Sequence, residues 1–116
     1  MKKLLILTLV AAGVAVLTNC SSAKKATAAT APATTYEHNI QTMVMSNCSP
    51  CHIPAKGGNK KPYDNYANVK SDIDEIIRRI ELNRGDKGFM PFKRAKLADS
   101  TVAVFKEFKT DGMLEK

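Results

Sequence analysis

Two thiols and an imidazole stand within five consecutive residues, Cys48-Ser49-Pro50-Cys51-His52, and they limit what this chain can become more than any other feature. Cysteines three positions apart reach the same side of one short turn, and the residue after them rides on that turn as well. The whole chain has 116 residues, room for one compact domain and too little for two, which excludes a multidomain enzyme. Residues 1–19 read as an export signal and 20–35 as a tether, so about 80 residues, 36–116, are left to fold. At that size a hydrophobic core alone gives marginal stability, and a staple is expected. The chain has three cysteines, and one of them is needed at the end of the signal. A multi-disulfide scaffold is thereby excluded, and the staple is expected to be a bound cofactor.

Lys2 and Lys3, followed by the largely apolar run from Leu4 to Leu17, have the layout of a secretory signal. The run is shorter than the roughly 20 apolar residues that a membrane-spanning helix needs, and no later segment approaches that length. Export without a membrane span is expected. Leu17-Thr18-Asn19-Cys20 resembles a bacterial lipobox, whose cysteine is acylated and becomes the mature N-terminus. Asn19 departs from the small residue usual before that cysteine, and ordinary cleavage at Ala26-Thr27-Ala28 is the alternative. A lipid on Cys20 would anchor the protein to a membrane on the periplasmic side and leave Cys48 and Cys51 as a pair with their own task. The tract from Ser21 to Thr35 has no aromatic residue and no apolar periodicity. It cannot bury a core and reads as a disordered tether with a root-mean-square reach of about 20 Å.

Organisation begins at Tyr36. Tyr36, Ile40, Met43, Val44 and Asn47 fall at spacings of three and four, which predicts an amphipathic helix over 36–47 leading into Cys48. Prolines, adjacent glycines and lysines make 53–62 an exposed loop. Residues 63–68 read as a single helical turn or irregular chain. Val69, Ile73, Ile76, Ile77 and Ile80 form one aliphatic stripe and predict a helix over 69–83, with Gly85 as its left-handed cap. Residues 86–96 read as loop. A last helix is predicted over 99–111, with Val102, Phe105 and Phe108 inward and Gly112 as its stop. No stretch alternates as a strand does, so the expected class is all-α.

The C-x-x-C-H run is the kind that attaches c-type haem. Each thiol can add to one porphyrin vinyl group, and His52 follows as an axial ligand to the iron. Two other readings stay open. A thiol-disulfide redox pair usually opens a helix in a βαβ context, which this chain lacks. A zinc site would have to draw on Cys48, Cys51, His52, His38 and Cys20, with Cys51 and His52 adjacent and ill placed to converge on one ion. A second axial ligand is expected to be a methionine. Met90 stands out because it lies in the inter-helix loop Lys87-Gly88-Phe89-Met90-Pro91-Phe92, whereas a methionine elsewhere is more often core filler. His38, on the helix entering the attachment site, reads as a surface or packing residue.

With these residues in view, the segment from Tyr36 to Gly112 resembles a small single-haem class I cytochrome c: a helix entering C-x-x-C-H, a middle helix, a loop with Met-Pro and a C-terminal helix. The resemblance implies one haem c held by Cys48 and Cys51 and ligated by His52 and Met90. It implies that Pro62 and Tyr63 lie beside the porphyrin, and that Phe108 fills the aromatic position where the last helix crosses the first. Ala98 stands where that family often has a Ser or Thr helix cap, and Asp99 is the candidate to replace it.

The implied role is electron transfer, one electron at a time between larger redox proteins, and not enzymatic catalysis. Without residues 1–19 the chain keeps 16 basic and 11 acidic residues, a net charge of +5. Lys56, Lys60 and Lys61 follow the attachment motif, and Lys87, Lys93, Arg94 and Lys96 flank Met90. Such loops could steer the protein to an acidic face on a redox partner, or could simply be a solvated surface. Nucleic acid is not an expected partner, and a monomeric domain is expected. Two other functions remain: a haem-based sensor or catalyst with an open sixth coordination position, and a haem-free thiol or zinc protein.

Overall fold

Helix formation starts one residue later than a buried threonine that caps it. Thr35 has extended backbone, its Oγ1 accepts from the His38 N–H at 3.4 Å, and the Asn39 carboxamide accepts the Thr35 N–H at 2.9 Å. The two bonds satisfy otherwise orphaned donors reciprocally, as a capping box does. The computed structural model describes residues 31–116. In it, one π-helical turn, Tyr36–Ile40, runs into α1, Gln41–Asn47. The predicted first helix is thus present. The globule begins before Tyr36, however, because Thr34 and Thr35 are buried and the Thr34 N–H donates to the Asp111 carboxylate at 2.7 Å. The proposed signal on residues 1–19, and Cys20 with it, lie outside the described residues.

The middle helix is two helices. α2, Tyr66–Ser71, is capped by Asn65, whose side chain accepts from the Asn68 N–H at 3.0 Å. Its start three residues before Val69 follows from that cap, which the aliphatic stripe does not reveal. α3, Ile73–Glu81, follows after a break at Asp72. Ile73, Ile76, Ile77 and Ile80 are all buried along one face of α3. Glu75 in its first turn pairs with Arg78 at 2.7 Å and Arg79 at 2.6 Å in its last, an arrangement that also suits the helix dipole. α3 stops at Glu81, two residues short of the expected end. Asn83 turns away because its N–H donates to the Asp86 carboxylate at 2.8 Å, and Gly85, with φ +107°, serves that turn instead of capping the helix.

α4, Asp99–Thr110, matches its predicted span within a residue. Its N-cap is Ala98 with no side-chain cap bond, and Asp99 is already helical, so the expected substitute cap is not formed. Gly112 takes φ +90° beyond the end, where the Gly112 and Met113 N–H groups bond back to Lys109 and Phe108 carbonyls. α4 packs on α3 and on the Tyr36–Ile40 turn, with Phe105 and Phe108 essentially inaccessible to solvent. The two ends of the domain are tied beside that crossing: the Tyr36 and Glu37 N–H groups donate to the Leu114 and Glu115 carbonyls at 2.9 and 3.0 Å. Among the described residues there is no strand, only the isolated bridge between Thr35 and Leu114. Among the same residues no helix is long and apolar enough to cross a membrane. The domain is small, compact and all-helical.

Candidate functional site

The turn that carries the two thiols continues from α1. The Cys48 N–H bonds to the Val44 carbonyl at 2.8 Å, and the His52 N–H to the Cys48 carbonyl at 3.0 Å. A loop with a short 3₁₀ turn, Pro54–Lys56, then doubles back across it. The Lys60 N–H reaches the Cys51 carbonyl at 3.0 Å and the Tyr63 N–H reaches the His52 carbonyl at 2.9 Å. The crossing is so close that only glycine fits at position 58. A Cβ there would collide with the Pro50 carbonyl oxygen and sit 2.6 Å from that of Cys51.

Cys48 is half-buried and Cys51 exposed, both as free thiols. Burial pushes the Cys48 thiol up to about 11, with the Arg94 guanidinium partly opposing it. The His52 Nδ1 lies 2.7 Å from the Lys61 carbonyl oxygen. A carbonyl can only accept, so Nδ1 carries the proton and the lone pair is on Nε2, the tautomer suited to metal ligation. The His52 ring stacks on Tyr63, with centroids 4.6 Å apart and planes 12° from parallel. Beneath them the Tyr63 hydroxyl donates to Asp72 at 2.5 Å, and Lys61 Nζ pairs with the other Asp72 oxygen at 2.6 Å. Burial pushes the Asp72 carboxyl up, but the hydrogen bonds from Lys61 and Tyr63 outweigh it and hold the group below the usual carboxylate range. The Tyr63 phenol is pushed up by burial and by Asp72 beside it.

Across from this turn, the loop after α3 is fastened by two arginines. The Met90 N–H donates to the Arg79 carbonyl at 3.2 Å, while Arg79 Nη1 donates to the Gly88 carbonyl at 3.4 Å. Arg79 and Arg78 together pull the Glu75 carboxyl down to about 2. Further along, Arg94 Nη1 donates to the Ser46 and Asn47 carbonyls at 3.2 and 3.3 Å, the open acceptors at the end of α1.

Between the turn and the loop lies a cleft of about 650 Å³, within the range of small-ligand and cofactor sites. Cys48, Cys51, His52, Tyr63 and Met90 all line it, over apolar walls that include Ile76, Ile80, Leu97 and Phe105. Pro62 is exposed and does not line the cleft, although both its neighbours do. His38 is exposed and borders a separate polar groove with Glu37, Asp64 and Glu115. Lys60, Lys61 and Arg94 reach the cleft from the basic loops, and Lys56, Lys87, Lys93 and Lys96 are exposed. Among the described residues no group of three or more His, Cys, Asp and Glu side chains is gathered as a metal site. Sequence patterns reveal Arg94 only as one of the basic residues flanking Met90 and do not reveal Asp72 or Arg79 as site residues, because each reads as a solvated charge near a helix or loop. No family model, no curated protein and no solved structure matches the chain. The functional reading therefore rests on the residues of the cleft.

Proposed function

We propose that the chain is an exported single-haem cytochrome c of the class I type that carries electrons between larger redox proteins. The observation that carries this reading is the meeting, in one cleft with apolar walls, of two thiols, an imidazole with its Nε2 lone pair free, and a methionine. The donor set fits the group: Cys48 and Cys51 would hold it by thioethers, and His52 and Met90 would ligate its iron. When bound, a haem supplies a one-electron couple. The chain's own residues fix the imidazole through the Lys61 carbonyl, restrict water with the Ile76, Ile80 and Phe105 walls, and hold Met90 through Arg79. The basic loops around the cleft, Lys56, Lys60, Lys87 and Lys93 among them, favour an acidic face on the partner, with association slowing as salt rises. A lipid on Cys20 would hold the domain at the periplasmic surface of a membrane.

The test is the optical spectrum of the protein made in a host with haem-attachment machinery, oxidised, reduced, and reduced with carbon monoxide. The expected result is covalently bound haem with a sharp low-spin ferrous spectrum that carbon monoxide leaves unchanged. A ready shift with carbon monoxide would point to an open sixth position and a sensor or catalyst. A colourless product with two free thiols would overturn the reading.

A further inference from the structure

Around His52 the chain closes a small ring of interactions in which no member is a neighbour of Asp72 in sequence, yet two paths from the imidazole, one through Lys61 and one through the Tyr63 ring, meet at Asp72. The imidazole Nδ1–H donates to the Lys61 carbonyl at 2.7 Å, and the Lys61 ammonium pairs with Asp72 at 2.6 Å. The imidazole face rests on Tyr63 at 4.6 Å, and the Tyr63 hydroxyl donates to Asp72 at 2.5 Å. We propose that Asp72 is the positioning residue for His52: one carboxylate holds both the carbonyl that selects the imidazole tautomer and the ring that fixes its plane. The inference rests on the proposed function for its consequence, since an imidazole held this way presents Nε2 to the iron in one orientation.

The backbone makes the arrangement rigid. Asp72 sits at the break between α2 and α3, and its carbonyl accepts the Ile76 N–H at 2.9 Å, so the residue is anchored to α3 where it lines the cleft. The Asp72 side chain is 13% exposed and that of Lys61 57%. The Tyr63 arm is therefore shielded and strong, while the Lys61 arm is solvated and screened by salt. The order of effects follows: removing Asp72's charge should disturb His52 most, removing the Tyr63 hydroxyl next, and removing the Lys61 ammonium least.

The experiment measures hydrogen exchange of the His52 Nδ1–H by nitrogen-15 NMR on the protein as isolated, reduced where it holds haem, and, in haem-loaded samples, the ratio of oxidised to reduced protein at a fixed ambient potential. Asp72→Asn should speed that exchange about tenfold or more, the scale of one lost charge-assisted bond, and shift the ratio in the same samples. Tyr63→Phe and Lys61→Met should do so by less, in that order, and Asp72→Glu should recover part of the effect. Asp74→Asn, a surface carboxylate on α3 paired with Lys109, should change neither. If Asp72→Asn does not fold, Tyr63→Phe and Lys61→Met decide, since each cuts one arm and keeps the carboxylate. Variants that lower the melting temperature but leave exchange within twofold of wild type would overturn the proposal. Haem content of the wild type is measured separately, so a chain without haem would sink the proposed function while the exchange rates still report on Asp72.

Discussion

The two walls of the cleft are built by different means. On the His52 wall, residues 48–63 bind one another through short backbone bonds, with carbonyls of Cys48, Pro50, Cys51 and His52 all satisfied within fifteen positions of sequence. On the Met90 wall, residues 85–98 contain no regular element and make two backbone bonds among themselves, Phe89 to Asp86 and Arg94 to Pro91; the rest of what fastens them is long-range: the Arg79 backbone and guanidinium from α3, and the contact of Arg94 with α1. One wall is a preformed mould and the other a strap. A ligand on the mould should be hard to displace, and a ligand on the strap should exchange when the strap loosens.

The largest effect should come from breaking the mould. Gly58→Ala puts a methyl group against the Pro50 and Cys51 carbonyl oxygens, which are backbone and cannot rotate aside. The turn must then open, and a loss of more than about 4 kcal/mol is expected, in the range reserved for such clashes. Covalent haem staining of the exported product and thermal unfolding check this. Gly57→Ala next to it is the contrast. It meets no atom within 4 Å and suffers only from its φ of +81°, so it should cost about 1 kcal/mol and keep its haem.

The same contrast explains what could be read in advance. The mould was legible because C-x-x-C-H is a local pattern whose spacing already fixes which groups share a turn. The aliphatic stripe of α3 and the Val102, Phe105 and Phe108 face of α4 were legible for the same reason, periodicity being a local property. The break at Asp72 was not, because the groups that hold the Asp72 side chain there, Tyr63 and Lys61, lie nine and eleven positions away. Nor was the end of α3, where an aspartate three residues on captures the Asn83 N–H and competes with the helix. The fastening roles of Arg79 and Arg94 were invisible because a guanidinium that bonds a distant carbonyl looks, in sequence, like any exposed cation. Met90 could be singled out by its loop, but not what holds it.

Loosening the strap is the intermediate case. Arg94→Ala removes two hydrogen bonds between the Met90 loop and the end of α1. Both are solvent-exposed, so stability should fall by only about 1 kcal/mol. The reduced variant should nevertheless take up carbon monoxide that the wild type excludes, because the loop opens without the domain unfolding. Arg79→Ala should act in the same direction while leaving Glu75 paired with Arg78 alone. Optical spectra of the reduced variants with carbon monoxide check both, and spectra as unchanged as that of the wild type would mean that Met90 is held by packing and not by the arginines.

The smallest effect crosses from one wall to the other. Arg94 belongs to the strap, yet its charge lies close enough to Cys48 to lower the thiol's pKa against the burial that raises it to about 11. The sign for stability follows from that raised value. The folded chain favours the neutral thiol, a preference fully present below the unfolded value near 9 and lost as pH rises through about 11. In haem-free protein at pH 8 Cys48 is then overwhelmingly the neutral thiol. Iodoacetamide should therefore label exposed Cys51 first, and Cys48 labelling should climb with pH up to about 11. Arg94→Ala removes the opposing cation and should slow Cys48 alkylation further, although it opens the loop. If the variant instead speeds Cys48 labelling at every pH, exposure outweighs charge, and the strap shields the thiol more than it tunes it. Peptide mass analysis after timed labelling, with both cysteines read in the same sample, separates the two outcomes.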